Sequence, residues 1–181
     1  EWLSRMVENL LSITRIDSGH VKLRKTPVVP DELIDAVLVK FRARYPNYVV
    51  HAELPGDIVF IPMDPMLIEQ VLLNLLENAV RHGKNTTHIA LSVHQEGENA
   101  VFAVQDNGGG IPPKLLPVLF SGTLRHSDTP TGDGKRNMGL GLSVCNAIVR
   151  AHGGTMHAQN KDGGAEFIFC LPMIEKEPEL Q

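Results

Sequence analysis

The stretch from Asp64 to His82 limits the possible folds more than any other part of the chain. Asp64-Pro65 is a strong helix start, because Asp accepts the free amides of a first turn and the fixed φ of proline suits the first helical position. Ile68, Val71, Leu72, Leu75, Leu76 and Ala79 then recur on one stripe at helical spacing, and Gly83 ends the run. A helix with so continuous an apolar stripe needs a second layer to bury it. A rotation of about 100° per residue brings Asn74, Asn78 and Arg81 together within an arc of roughly 60° beside the stripe. An Asn oxygen suits Mg²⁺, which takes few protein ligands, and Arg pairs with phosphate oxygens. The same pattern also fits an ordinary amphipathic helix with polar residues along its border.

The remaining periodicities supply that second layer. Leu33, Ile34, Val37, Leu38 and Phe41 predict a helix to about Arg44, with Asp31 as its cap. Short strands are expected at Val21–Arg24, Val49–Glu53, Ile58–Ile61, His88–His94, Ala100–Gln105, Thr155–Gln159 and Ala165–Leu171. A last helix is expected from Leu140 to about His152, closed by Gly153-Gly154. Residues 107–138 read as a long loop with one helical turn near Lys114–Leu119, and loops of that length are commonly functional. Helices alternating with mostly hairpin-linked strands imply an α/β fold: one mixed sheet with helices on one face, a two-layer sandwich spanning residues 19–173. Ahead of it, Leu3, Met6, Leu10 and Ile13 form a coiled-coil seam of about two heptads, closed by Asp17-Ser18-Gly19. The acidic tail 174–181 is expected to be disordered.

Composition excludes some functions. A net charge of −4 and an aromatic content of 5% argue against a nucleic-acid binder, which needs basic surface and stacking platforms. Cys145 and Cys170 have no Cys or His at metal-ligand spacing and read as reduced thiols. No apolar run approaches the roughly 18–20 residues of a membrane span, and no signal-peptide pattern opens the chain, so a cytoplasmic fragment is expected.

Two more features carry chemistry. Asp106 ends an apolar strand and is followed by Asn107-Gly108-Gly109-Gly110-Ile111-Pro112. A carboxylate there can accept a hydrogen bond from an exocyclic amine such as that of adenine, while glycines let the backbone approach a ring or phosphate. A plain strand-to-helix turn has the same composition. Gly139-Leu140-Gly141-Leu142 opens the last helix, with Lys135 and Arg136 just ahead of it. Helix N-termini bind anions through free amides and the helix dipole, although two glycines also suit a close helix–sheet contact. The Gly-Lys-Ser/Thr spacing of a Walker A loop is absent.

The order of these features resembles the nucleotide-binding domain shared by histidine kinases, gyrase B, Hsp90 and MutL-type ATPases, the Bergerat fold. Gln70–His82 looks like the histidine-kinase asparagine box, Asp106-x-Gly108-x-Gly110 the first glycine box, and Gly139-x-Gly141-Leu142 the second. Phe120 stands where a phenylalanine box begins, and Ala151-His152-Gly153-Gly154 also matches. The likeness covers roughly residues 3–172, and 74–81, 137–147 and 151–155 are most similar to potassium-responsive sensor kinases of the KdpD type.

This resemblance implies ATP and Mg²⁺ as cofactors, with Asn78 as metal ligand and Asn74 and Arg81 on the phosphate side. Asp106 would meet the adenine amine, with Gly108 and Gly110 admitting the base. Ile111 would begin a lid over residues 111–138 that carries the basic Arg125, Lys135 and Arg136. Gly139, Leu140, Gly141 and Leu142 would close its far end on the phosphates. Thr123 replaces the second aromatic of the phenylalanine box and Asn137 a common glycine, which alters lid packing and its hinge.

The resemblance also implies a protein-histidine kinase rather than a hydrolase. Related ATPases carry at position 74 a Glu that activates water, and the amide of Asn74 cannot act as that base. Glu77 lies about 60° further round the helix. Residues 1–18 would be the end of the dimerisation and phosphoacceptor helix, whose histidine would precede Glu1. His51-Ala52-Glu53-Leu54-Pro55 resembles an acceptor motif but sits in a β-like run and is rejected. The implied partners are the parent's own dimerisation domain, in a homodimer, and a response regulator receiver domain. ATP binding without autophosphorylation is expected of this chain. A hydrolytic ATPase, an anti-sigma-type serine kinase and a docking module without nucleotide affinity are the rival readings.

Overall fold

The computed structural model describes residues 23–120 and 135–174. In chain order the elements are β1 (Thr26–Val28), α1 (Pro30–Arg44), β2 (Val50–Glu53), β3 (Ile61–Met63), α2 (Pro65–Arg81), β4 (Ile89–Glu96), β5 (Asn99–Asp106), a 3₁₀ turn (Leu116–Val118), α3 (Lys135–Ala151), β6 (Thr155–Lys161) and β7 (Gly164–Pro172). Five strands form one sheet in the order β2-β4-β5-β7-β6, with β2 parallel to β4 and every other pair antiparallel. This is the mixed sheet expected from the sequence.

Alternation along the strands shows which face the helices cover. On β4, Ile89, Leu91 and Val93 are buried while Ala90 and His94 are exposed. Ala100, Phe102 and Val104 of β5 and Ala165, Phe167, Phe169 and Leu171 of β7 join the same core, which α1, α2 and α3 close from one side. Phe102 and Phe169 are register partners with stacked rings, 4.7 Å between centroids. Asp106 falls on this core face by the same alternation, opposite Ile89, at the open end of β5. The sheet thus delivers a carboxylate to the edge of an otherwise apolar layer.

The two shortest strands lie elsewhere than the sequence suggested. Strand character was expected at Val21–Arg24, of which Val21 and Lys22 lie outside the described residues, and at Ile58–Ile61; β1 and β3 form a separate antiparallel ribbon in which Pro27 faces Pro62. Opposed residues alternate between hydrogen-bonded and non-bonded pairs, and two prolines fit only the second kind. Ile58 and Phe60, which had suggested a strand, are exposed side chains ahead of it. Asp31 does not cap α1: the N-cap is Val29, without a side-chain cap, and Pro30 starts the helix. Asp31 and Glu32 instead place negative charge in the first turn, where the helix dipole favours it.

Candidate nucleotide site

The site is built where the C-terminal half of α2 meets the end of β5. Asp64 caps α2 by accepting the Leu67 N–H at 3.4 Å, and Ile68, Val71, Leu72, Leu75, Leu76 and Ala79 are buried against the sheet. The polar border is thereby turned toward the neighbouring helices. Asn74 Nδ2 donates to Cys145 Sγ of α3 at 3.7 Å. One turn on, Asn78 Nδ2 is a buried atom without a hydrogen-bond partner among the described residues. A buried amide rarely forgoes its partners, since an unmade hydrogen bond costs about 1–3 kcal/mol. A carboxamide so placed fits a ligand that supplies the missing contact, and turning the amide over offers its oxygen to a cation.

The sequence grouped Arg81 with the two amides, and the structure separates its side chain from them. Arg81 is exposed and its Nε donates to the Tyr45 hydroxyl beyond α1 at 3.4 Å. Glu77, the other acid in reach, forms an ion pair with Arg44 of α1. Its carboxylate is thus engaged on the α1 side of the helix.

Asp106 is 7% exposed. Its Oδ1 accepts the N–H of Gly108 at 2.8 Å and of Ala165 at 3.4 Å, which fixes the carboxylate and leaves Oδ2 for an external donor. Gly108 is required by space rather than by φ. A Cβ there would lie 2.3 Å from Thr86 Oγ1 and 2.6 Å from Gly83 Cα. Thr86 itself donates to the Ala79 carbonyl at 2.8 Å, and the Lys84 N–H donates to the Gly108 carbonyl at 2.7 Å. The glycine loop is therefore latched to the end of α2. Gly110, with φ +80°, approaches Asn160, and Ile111 is buried. Asn107 faces away and braces the start of β4 by accepting the N–H groups of Thr87 and His88.

Burial sets the state of two nearby groups. His82, at the C-cap of α2, has its pKa lowered to about 4 by desolvation and then by the Arg81 charge, so its ring is neutral at pH 7. Burial pushes the Cys145 thiol up to about 12, against the Asn74 hydrogen bond, and makes it an inert packing group.

The far side of the site begins earlier than expected. Lys135 and Arg136 do not precede the last helix: they lie within α3, as do Gly139 and Gly141. A Cβ on Gly141 would meet nothing within 4 Å, so close helix–sheet packing does not explain that glycine. Leu142 is fully buried. Arg125 and Thr123 lie outside the described residues, as do residues 1–22, with the coiled-coil seam, and 175–181.

The residue types, their order and the sheet topology now decide the family. The model of the histidine kinase-, DNA gyrase B- and HSP90-like ATPases matches residues 63–175. The chain belongs to this family. It is 36% identical over 173 residues to the sensor protein KdpD of Clostridium acetobutylicum, covering 95% of this chain and 19% of that protein. To the KdpD of Escherichia coli it is 37% identical over 179 residues, covering 98% and 20%. The chain thus spans about a fifth of the length of these relatives. Among solved structures, the Acinetobacter baumannii histidine kinase AdeS superposes with a TM-score of 0.75 at 25% identity over 97% of this chain and 80% of that one. The histidine kinase ThkA, in complex with the response regulator TrrA, superposes at 0.70 and 25% over 95% and 49%. The chain is an ATP-binding domain of this family, similar to the catalytic domains of sensor histidine kinases, and the five-stranded mixed sheet and three helices of the described residues match the fold of those domains. Among the described residues no helix is long and apolar enough to cross a membrane.

Thr86, Gly83, Gly164 and Asn160 were not singled out as site residues by sequence reasoning. Gly83 was read only as a helix stop. What showed its second role is the contact with Gly108, a residue 25 positions away in the chain and adjacent only once the sheet is formed.

Proposed function

We propose that this domain binds Mg²⁺-ATP between α2, the Asp106 loop and the start of α3, and passes the γ-phosphoryl group to a histidine on a separate helix. The observation that carries this reading is the Asp106 carboxylate, held on Oδ1 by two backbone amides with Oδ2 left over, at the end of a core strand. Oδ2 accepts the adenine amine, and Gly108 and Gly110 admit the ring. Asn78 offers its amide oxygen to Mg²⁺, which supplies charge neutralisation at the phosphates when bound. Asn74 lines the same edge, and Lys135, Arg136, Gly139, Leu140, Gly141 and Leu142 of α3 face the phosphates. Arg81 reaches the phosphates by leaving Tyr45. In the transfer an imidazole nitrogen forms a bond to the γ-phosphorus as the bridging oxygen departs with its electrons on ADP. His51 is not that acceptor: it lies on strand β2 rather than on a helix.

The homodimeric parent, a membrane-bound sensor of potassium status, and a response regulator receiver domain as the next acceptor are part of the same proposal. They are supported by the KdpD similarity and by the crystallised complex of ThkA with TrrA.

Calorimetric titration of Mg²⁺-ADP and a non-hydrolysable ATP analogue into the chain and its Asp106→Asn variant tests the core of this reading. Saturable binding that is lost in the variant supports it. No binding in the unaltered chain overturns it in favour of a docking module. Acid-labile phosphate incorporated into the isolated chain contradicts the separate acceptor.

A further inference from the structure

Ile111 is held by one side chain at both of its backbone polar groups. Asn160 Oδ1 accepts the Ile111 N–H at 2.6 Å and Asn160 Nδ2 donates to the Ile111 carbonyl at 2.9 Å. This is the pairing a neighbouring strand would provide, supplied here by a carboxamide at the end of β6. Asn160 reaches the loop because of register: it opposes Ala165, on the core face of the sheet, and the Ala165 N–H reaches Asp106 Oδ1. The same β6–β7 hairpin touches the loop twice more. Gly109 donates to the Gly163 carbonyl at 2.9 Å, and Gly164 lies so close to Asp106 that a Cβ would stand 1.7 Å from its carbonyl oxygen.

The loop needs such a support. Three consecutive glycines have the largest conformational freedom to lose, and Gly109 and Gly110 both adopt positive φ. The hairpin fixes both ends of the run, Asp106 at its start and Ile111 at its finish. A carboxamide accepts and donates in one plane whereas an ionised carboxylate only accepts, so Asp in place of Asn160 keeps one of the two bonds and Ala neither.

We propose that Asn160 is a positioning residue for nucleotide binding: by clamping Ile111 it holds the glycine loop and with it the direction in which Asp106 presents Oδ2 to the base. This rests on the reading of Asp106 as the adenine acceptor, and the test separates the two. Mg²⁺-ADP and Mg²⁺-inosine diphosphate, which lacks the exocyclic amine, are titrated into the chain and into its Asn160→Ala, Asn160→Asp and Asp106→Asn variants. Asn160→Ala is expected to weaken ADP binding about tenfold and to narrow the preference for ADP over inosine diphosphate, with Asn160→Asp about threefold weaker than the unaltered chain. Unchanged ADP affinity in Asn160→Ala, or equal weakening of both nucleotides, overturns the proposal. If Asn160→Ala does not fold, Asn160→Asp decides alone, and an affinity and preference equal to those of the unaltered chain overturn it. A preference for ADP that survives in Asp106→Asn instead overturns the base-acceptor reading itself.

Discussion

His152 ties the last turn of α3 to the first turn of α2: its Nε2 accepts the Asp64 N–H at 3.0 Å while its Nδ1–H donates to the Ile148 carbonyl at 2.7 Å. Both bonds together require the neutral ring with its proton on Nδ1. Burial holds the His152 pKa below its ordinary value, partly opposed by the Ile148 bond, and burial also lowers His82 to about 4.

Acid destabilisation follows from these two imidazoles. A histidine whose folded pKa is depressed binds fewer protons folded than unfolded at mildly acidic pH. Its contribution is complete above the unfolded value of about 6.5 and is lost as pH falls from there toward the folded value. For His82 the loss is on the order of 3 kcal/mol between pH 6.5 and 4. Urea unfolding at pH 7.5, 6, 5 and 4 should show stability falling over that window, and His82→Gln should flatten the profile. A His82→Gln profile as steep as that of the unaltered chain would remove His82 as the cause.

Gly108→Ala should damage the site without touching a ligand atom. Its Cβ would enter both Thr86 Oγ1 and the backbone of Gly83, and backbone cannot give way as a flexible side chain can. A loss of about 2 kcal/mol or more in unfolding free energy is expected, with Mg²⁺-ADP affinity falling at least tenfold. Thr86→Ser should keep the bond to the Ala79 carbonyl and bind ADP normally. Normal ADP binding by Gly108→Ala would show that the loop is not latched to α2 as described.

The sequence made the fold's long elements legible because each has an unambiguous period. The apolar stripe of α2 and the alternation along β4 set those elements to within two residues. The ribbon was placed wrongly because Pro27 and Pro62 speak against strands locally, and only their mutual pairing makes them acceptable. The start of α3 was placed late because Gly139 and Gly141 read as the opening of the helix, whereas the helix already includes Lys135 and runs through both. In the site, Asp106 and Asn78 were visible as residue types in a fixed order. Asn160 and Thr86 were not, since nothing about a single Asn or Thr marks it until the sheet register brings it to the loop.

Asn78 should be dispensable for the fold and required for metal-dependent binding. Its Nδ2 has no partner among the described residues, so Asn78→Leu replaces a buried, unsatisfied donor by apolar volume. The nucleotide-free variant is expected to be as stable as the unaltered chain or about 1 kcal/mol more stable. ADP titrations with and without Mg²⁺ should differ strongly for the unaltered chain and hardly at all for the variant. A Mg²⁺ response that persists in Asn78→Leu places the metal ligand elsewhere.

Gly141 offers the clearest separation of stability from function. It lies inside α3 with open space where a Cβ would be, and glycine in a helix interior costs about 0.5–1 kcal/mol relative to alanine. Gly141→Ala should therefore raise the unfolding free energy of the nucleotide-free domain by about that amount. If the glycine is kept so that the helix backbone can approach the phosphates, the same variant should bind the ATP analogue several-fold more weakly. ADP, which lacks the γ-phosphate, should be affected less. Thermal unfolding with no nucleotide, with ADP and with the ATP analogue measures all three at once. A variant that is more stable and binds both nucleotides unchanged would leave the glycine without a role at the phosphates.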